Sequence, residues 1–152
     1  MIHKILLVED SDYKIVPIKS FIEEVSPESV LTIARSFQSG LKRLNTEDYG
    51  LIILDMTLPS FDKSSIESGG RMRHIGGLDL FKNMLAMGKH ENTIFITHHD
   101  SFRLERGVIG IEDIRSLIDN ELEEYDISEK KYKLFKFDEH QNWKAEIENK
   151  IR

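Results

Sequence analysis

The chain contains no cysteine, which excludes a disulfide framework and all thiolate chemistry and fits a reducing cytosol. It also lacks any apolar run long enough to cross a bilayer. Proline and glycine are scarce, with three and nine residues in 152, so the composition is neither low-complexity nor fibrous. A surplus of positive charge is missing too. The net charge of −6 argues against nucleic acid as the main partner, because phosphate contacts require a basic face. The best basic stretch, Arg71-Met72-Arg73-His74, is short, and a solvated loop is its simpler account. The opening run, Met1 to Val8, breaks into Glu9-Asp10 too early for a secretory signal and has no small-residue cleavage site. A cytoplasmic protein is expected.

What is present suits a globular domain: 39% of the residues are hydrophobic and 32% charged. The length fits one domain with its own core. Ile5–Val8, Val30–Ala34, Leu51–Leu54 and Thr93–Ile96 are short runs that are apolar on both faces, and Tyr132 to Phe137 is a fainter fifth. Such runs belong to a parallel sheet covered on both sides.

Helical spacing fills the intervals. Ile15, Ile18, Phe21, Ile22 and Val25 mark the first helix, in which Pro17 is acceptable if it lies in the opening turn. Phe37, Leu41 and Leu44 mark a second, and Leu78, Phe81 and Leu85 a third. A fourth runs from about Ile111 to Tyr125, and Trp143, Ile147 and Ile151 mark a fifth. Five β-α units predict a doubly wound α/β fold with a five-stranded parallel sheet. Residues 1–152 form one domain. Two stretches exceed what the plan needs. One is a long loop at about 60–76, rich in Ser and Gly. The other is a segment at about 100–131, expected to be irregular through Gly107 and Gly110.

In an open parallel sheet, ligands sit beyond the carboxyl ends of the strands, where the strand order reverses. The first strand here ends in Glu9-Asp10, the third in Asp55, the fourth in Thr97, and the fifth carries Lys136. One polar residue at a strand end means little; suitable groups at four strand ends are harder to dismiss. Clustered carboxylates repel one another, and a hard divalent cation such as Mg²⁺ removes that cost. One carboxylate can then act as a nucleophile toward phosphorus, while a lysine and a hydroxyl stabilise the transferred oxygens.

Lys4-Ile5-Leu6-Leu7-Val8-Glu9-Asp10 resembles the opening strand and acidic pair of response-regulator receiver domains. Leu54-Asp55-Met56-Thr57-Leu58-Pro59 resembles their phosphoacceptor loop, Gly77-Leu78 their entry into the third helix, Ile96-Thr97 their switch threonine, and Phe135-Lys136 their lysine. The resemblance spans nearly the whole chain and implies a flavodoxin-like receiver fold. It implies that Asp55 accepts the phosphoryl group. Glu9, Asp10, Asp55 and the backbone carbonyl of Thr57 would hold Mg²⁺, Thr97 would hydrogen-bond the phosphoryl oxygens, and Lys136 would pair with Asp55 or with one of those oxygens. The implied partners are a sensor histidine kinase or phosphotransfer protein and a downstream protein, with no direct contact to nucleic acid or membrane. Homodimerisation is left open. A stand-alone switch is expected, with no output domain after the fifth helix and no turnover of a separate substrate.

The sequence also departs from the family. His98 follows the switch threonine, where a small residue is usual. Lys136 is followed by Phe137 instead of proline, and Lys133 stands where an aromatic is common, with Tyr132 one step earlier. Asp55 to Gly77 is 22 residues and Thr97 to Lys136 is 39, both longer than the family norm. An alternative therefore stays open: a pseudo-receiver that binds a partner through the two insertions with weak phosphorylation or none. A phosphatase using Asp55 is disfavoured because Thr57 stands where such enzymes carry a second acid. His74, His90, His98, His99 and Asp100 lack the spacing of a zinc site. Trp143, Phe135 and Phe137 are expected in the core, and Glu121, Glu123 and Glu124 on a solvated helix face.

Overall fold

In the computed structural model, residues 4–63, 69–138 and 141–152 are described. Strands β1 (Lys4–Val8), β2 (Val30–Ala34), β3 (Leu51–Leu54), β6 (Thr93–Thr97) and β9 (Lys133–Lys136) form one sheet. Its order is β2-β1-β3-β6-β9, and every pairing is parallel. The doubly wound five-stranded fold expected from the sequence is what forms.

Alternation along the strands divides the core in two, because neighbouring side chains point to opposite faces. Leu6, Val8, Ile52, Leu54 and Phe95 meet helices α2 (Phe37–Thr46), α3 (Gly76–Met87) and α4 (Ile111–Glu124) on one face. Ile5, Leu7, Ile53, Ile94 and Ile96 meet α1 (Asp12–Val25) and α5 (Asn142–Ile151) on the other. Trp143 is fully buried there, stacked on Phe137 with its indole N–H donating to the Phe137 carbonyl.

Three expectations need correction. Pro17 does not sit in the opening turn: α1 starts at Asp12, so the proline is its sixth residue. It is tolerated because Tyr13, whose carbonyl loses its helical partner, and Pro17 are both exposed. The 60–76 loop is not structureless where it is described. Its end forms β5 (Met72–Arg73), antiparallel to β4 (Leu58–Pro59). Ser64, Ser65 and Ser68 lie outside the described residues. The stretch through Gly107 and Gly110 is not irregular either. It is a hairpin of β7 (Ser101–Leu104) and β8 (Gly107–Gly110) joined by Glu105-Arg106, a two-residue connection of the kind that favours residues tolerant of positive φ. Neither connecting residue has a positive φ; the residue after them, Gly107, does, at 129°.

Candidate functional site

The pairing register fixes the site. Val8 lies opposite Leu54, Leu54 opposite Phe95, and Thr97 opposite Lys136, so the next residues of β1 and β3 emerge together at the carboxyl edge. Glu9 donates its backbone N–H to the Ala34 carbonyl on one side of β1, and Asp55 donates to the Val8 carbonyl on the other. The chain runs outward to β2 in one direction and to β6 and β9 in the other, so this edge is the switch point where ligands bind.

Glu9 and Asp55 are both buried. Glu9 Oε2 accepts the backbone N–H groups of Asp10 (3.0 Å) and Ser11 (3.1 Å), and Asp55 Oδ1 accepts that of Met56 at 2.7 Å. Carboxylate oxygens of Glu9, Asp10 and Asp55 lie within 4.8 Å of one another, the one such three-acid group found among the described residues. This all-oxygen, hard-ligand set fits Mg²⁺. The histidines at 74, 90, 98 and 99 form no such group.

Sequence reasoning missed Lys14. Its side chain is fully buried, with Nζ 2.6 Å from Glu9 Oε1 and 2.7 Å from Asp55 Oδ2. Burial opposes its charge, but Asp55 and Glu9 outweigh burial and raise its pKa above the ordinary lysine value. One ammonium does not satisfy two buried carboxylates. Burial, and then Asp55, push Glu9 up to about 8 against the pull of Lys14. The cluster is short of positive charge, a deficit that a bound cation would relieve. A sequence signal for Lys14 existed: it stands four and eight residues before Ile18 and Ile22, on the buried stripe of α1.

Thr97 and Lys136 stand opposite each other at the ends of β6 and β9, on the same carboxyl edge of the sheet. Thr97 is buried, and its hydroxyl accepts the His99 N–H at 3.3 Å, which leaves its own proton for another acceptor. Lys136 forms an ion pair with Asp100. Phe137 donates its N–H to the Thr97 carbonyl at 2.8 Å, a bond that a proline there could not make. The Thr57 hydroxyl donates to the His74 carbonyl at 2.9 Å, tying the Asp55 loop to the approach to α3.

His98 is exposed, with its pKa lowered by partial burial, Lys14 and His99. Tyr132 is held on the α4 side of the sheet. It donates to Asp119 at 2.8 Å and packs on Phe81 and Phe95. The first insertion reaches the pocket through Lys63, 3.3 Å from Asp10. Between β4–β5 and the β7–β8 hairpin lies a separate cleft of about 650 Å³, lined among others by Arg71, Arg73, His74, Arg103 and Glu105.

No family model matches the chain. A curated relative, the Detocs response regulatory protein DtcB of Enterobacter cloacae (strain JD6301), is 29% identical over 150 residues, covering 97% of each chain. Among solved structures, a response regulator receiver domain protein from Clostridium thermocellum superposes with a TM-score of 0.62 at 20% identity, over 98% of this chain and 94% of that one. A CheY-like receiver domain protein from Methanospirillum hungatei JF-1 gives 0.61 at 16%, over 99% and 94%.

Proposed function

We propose that this chain, whose fold is that of the response-regulator receiver domains, is a phosphoryl-accepting switch of two-component signalling in the cytoplasm. Asp55 takes the group from a histidine kinase or phosphotransfer protein, and a downstream protein reads the change. The observation that carries this reading is the convergence of Glu9, Asp10 and Asp55 at the switch point of the sheet. No separate substrate is turned over.

In the transfer, an Asp55 oxygen forms a bond to phosphorus while the phosphorus–nitrogen bond of the donor phosphohistidine breaks. The electron pair of that bond returns to the donor imidazole, and Asp55 becomes a mixed anhydride. Glu9, Asp10, Asp55 and the Thr57 carbonyl are the groups that would hold Mg²⁺, which when bound neutralises the phosphoryl oxygens. Thr97 has a hydroxyl proton to donate to one of those oxygens, and Lys136 an ammonium for another. The phosphoryl group carries about −1.5 to −2 charge, but Asp55 loses its own negative charge in the anhydride. The adduct therefore adds about one negative charge at most beside the start of the β7–β8 insertion, where Asp100 now holds Lys136. Recruiting Lys136 to the phosphoryl group releases Asp100, which couples the chemistry to that hairpin.

The test is intact mass after incubation with acetyl phosphate and Mg²⁺. One hydroxylamine-labile phosphoryl adduct is expected, absent in Asp55→Asn; no adduct, or one that survives the substitution, overturns the reading.

A second reading, a pseudo-receiver that binds its partner without modification, is favoured by the cleft between the two insertions. It predicts that beryllofluoride with Mg²⁺ leaves the resonances around Thr97 unmoved.

A further inference from the structure

Among the described residues, Lys14 is the only lysine or arginine that is buried, and its place is unfavourable on two counts. It lies in the first turn of α1, where the helix dipole repels cations. Full burial of an ammonium is also costly unless it is paired. Both costs are met by the same contacts. Nζ sits between Glu9 Oε1 and Asp55 Oδ2, at 2.6 and 2.7 Å, the separations of strong charge-assisted pairs. Asp10, the third acid, is left to the more exposed Lys63.

The ammonium thus bridges two of the three carboxylates that would ligate a divalent ion. Two cations on the same oxygens repel strongly in a poorly solvated pocket, so a metal ion and the ammonium cannot hold those oxygens together.

We propose that Lys14 is a tethered cation standing at the divalent-ion position, and that its competition with Mg²⁺ sets the metal affinity of the pocket. The proposal rests on the reading of Glu9, Asp10 and Asp55 as the metal site. Without metal, Lys14 holds the two buried carboxylates in place. When Mg²⁺ enters, Lys14 gives up at least one carboxylate, and its freed ammonium is beside Asp55 where phosphoryl oxygens would arrive. The pocket therefore exchanges one cation for another instead of passing from empty to filled.

Calorimetric titration with Mg²⁺ of the whole chain and of Lys14→Met tests this, with Asp55→Asn as the control for site-specific binding. Removing the competitor is expected to tighten Mg²⁺ binding roughly tenfold or more. Equal or weaker binding by Lys14→Met overturns the role of Lys14 while leaving the metal site intact. Absence of Asp55-dependent binding in both proteins overturns the metal site itself, and this inference with it. Should Lys14→Met fail to fold, the unaltered chain still decides the matter. The Lys14 Cε and Hε resonances are expected to move on saturation with Mg²⁺, and resonances that stay fixed overturn the exchange.

Discussion

Position 77 requires glycine because of distance, not torsion. The first turn of α3 lies against the loop after β3, with the Gly77 N–H bonded to the Met56 carbonyl at 2.8 Å. A Cβ on Gly77 would fall 2.1 Å from the Asp55 carbonyl oxygen. Gly77→Ala must push the Asp55 loop or the helix aside, as overpacking does, at a cost of about 1–3 kcal/mol. Urea denaturation should show that loss, and the Asp55 and Met56 amide resonances should move while those of β2 stay still. The acids at 9, 10 and 55 were legible in the sequence because each ends a run apolar on both faces. Lys14 was legible only as a position on the buried stripe of α1, because a lysine in an amphipathic helix ordinarily faces water. What buries this one is a long-range pairing with Asp55, which no local pattern contains.

Among the elements, the central strands were the most legible. Leu51–Leu54 has no polar position to misplace and is buried at every residue. The hairpins escaped notice because their strands are short and depend on their partners for definition. In β7, Phe102 is buried between exposed neighbours, while the glycines of β8 read as breaks. Helix α1 carries a different lesson. Pro17 interrupts its hydrogen bonding one turn after Lys14. Pro17→Ala restores the bond to the Tyr13 carbonyl. It should raise stability by up to about 3 kcal/mol, partly offset by the extra freedom of the unfolded chain. Thermal unfolding measures the gain; an unchanged or lower Tm would mean that the proline is already accommodated without cost.

Across the whole molecule, the acidic edge holds buried carboxylates with too few cations to balance them. A ligand that binds only the folded state stabilises it by mass action. Mg²⁺ at about a hundred times its Kd should therefore add ~2.7 kcal/mol, a rise of roughly 5–10 °C in Tm for a domain of this size. EDTA should reverse the rise, and Glu9→Gln or Asp55→Asn should abolish most of it. A Tm indifferent to Mg²⁺ in the unaltered chain would count against the metal site.

The strand that carries Asp55 is the middle one of five, flanked by β1 and β6. Around it stand groups from Glu9 near the start of the chain to Lys136 near its end. Contacts between residues so distant in sequence form late in folding. If Asp55 accepts a phosphoryl group as proposed, a chain still emerging from the ribosome, or cut before β9, would possess the aspartate without the surroundings proposed to make it react. The modification would then mark only finished molecules, and the fold itself would serve as quality control on the signal.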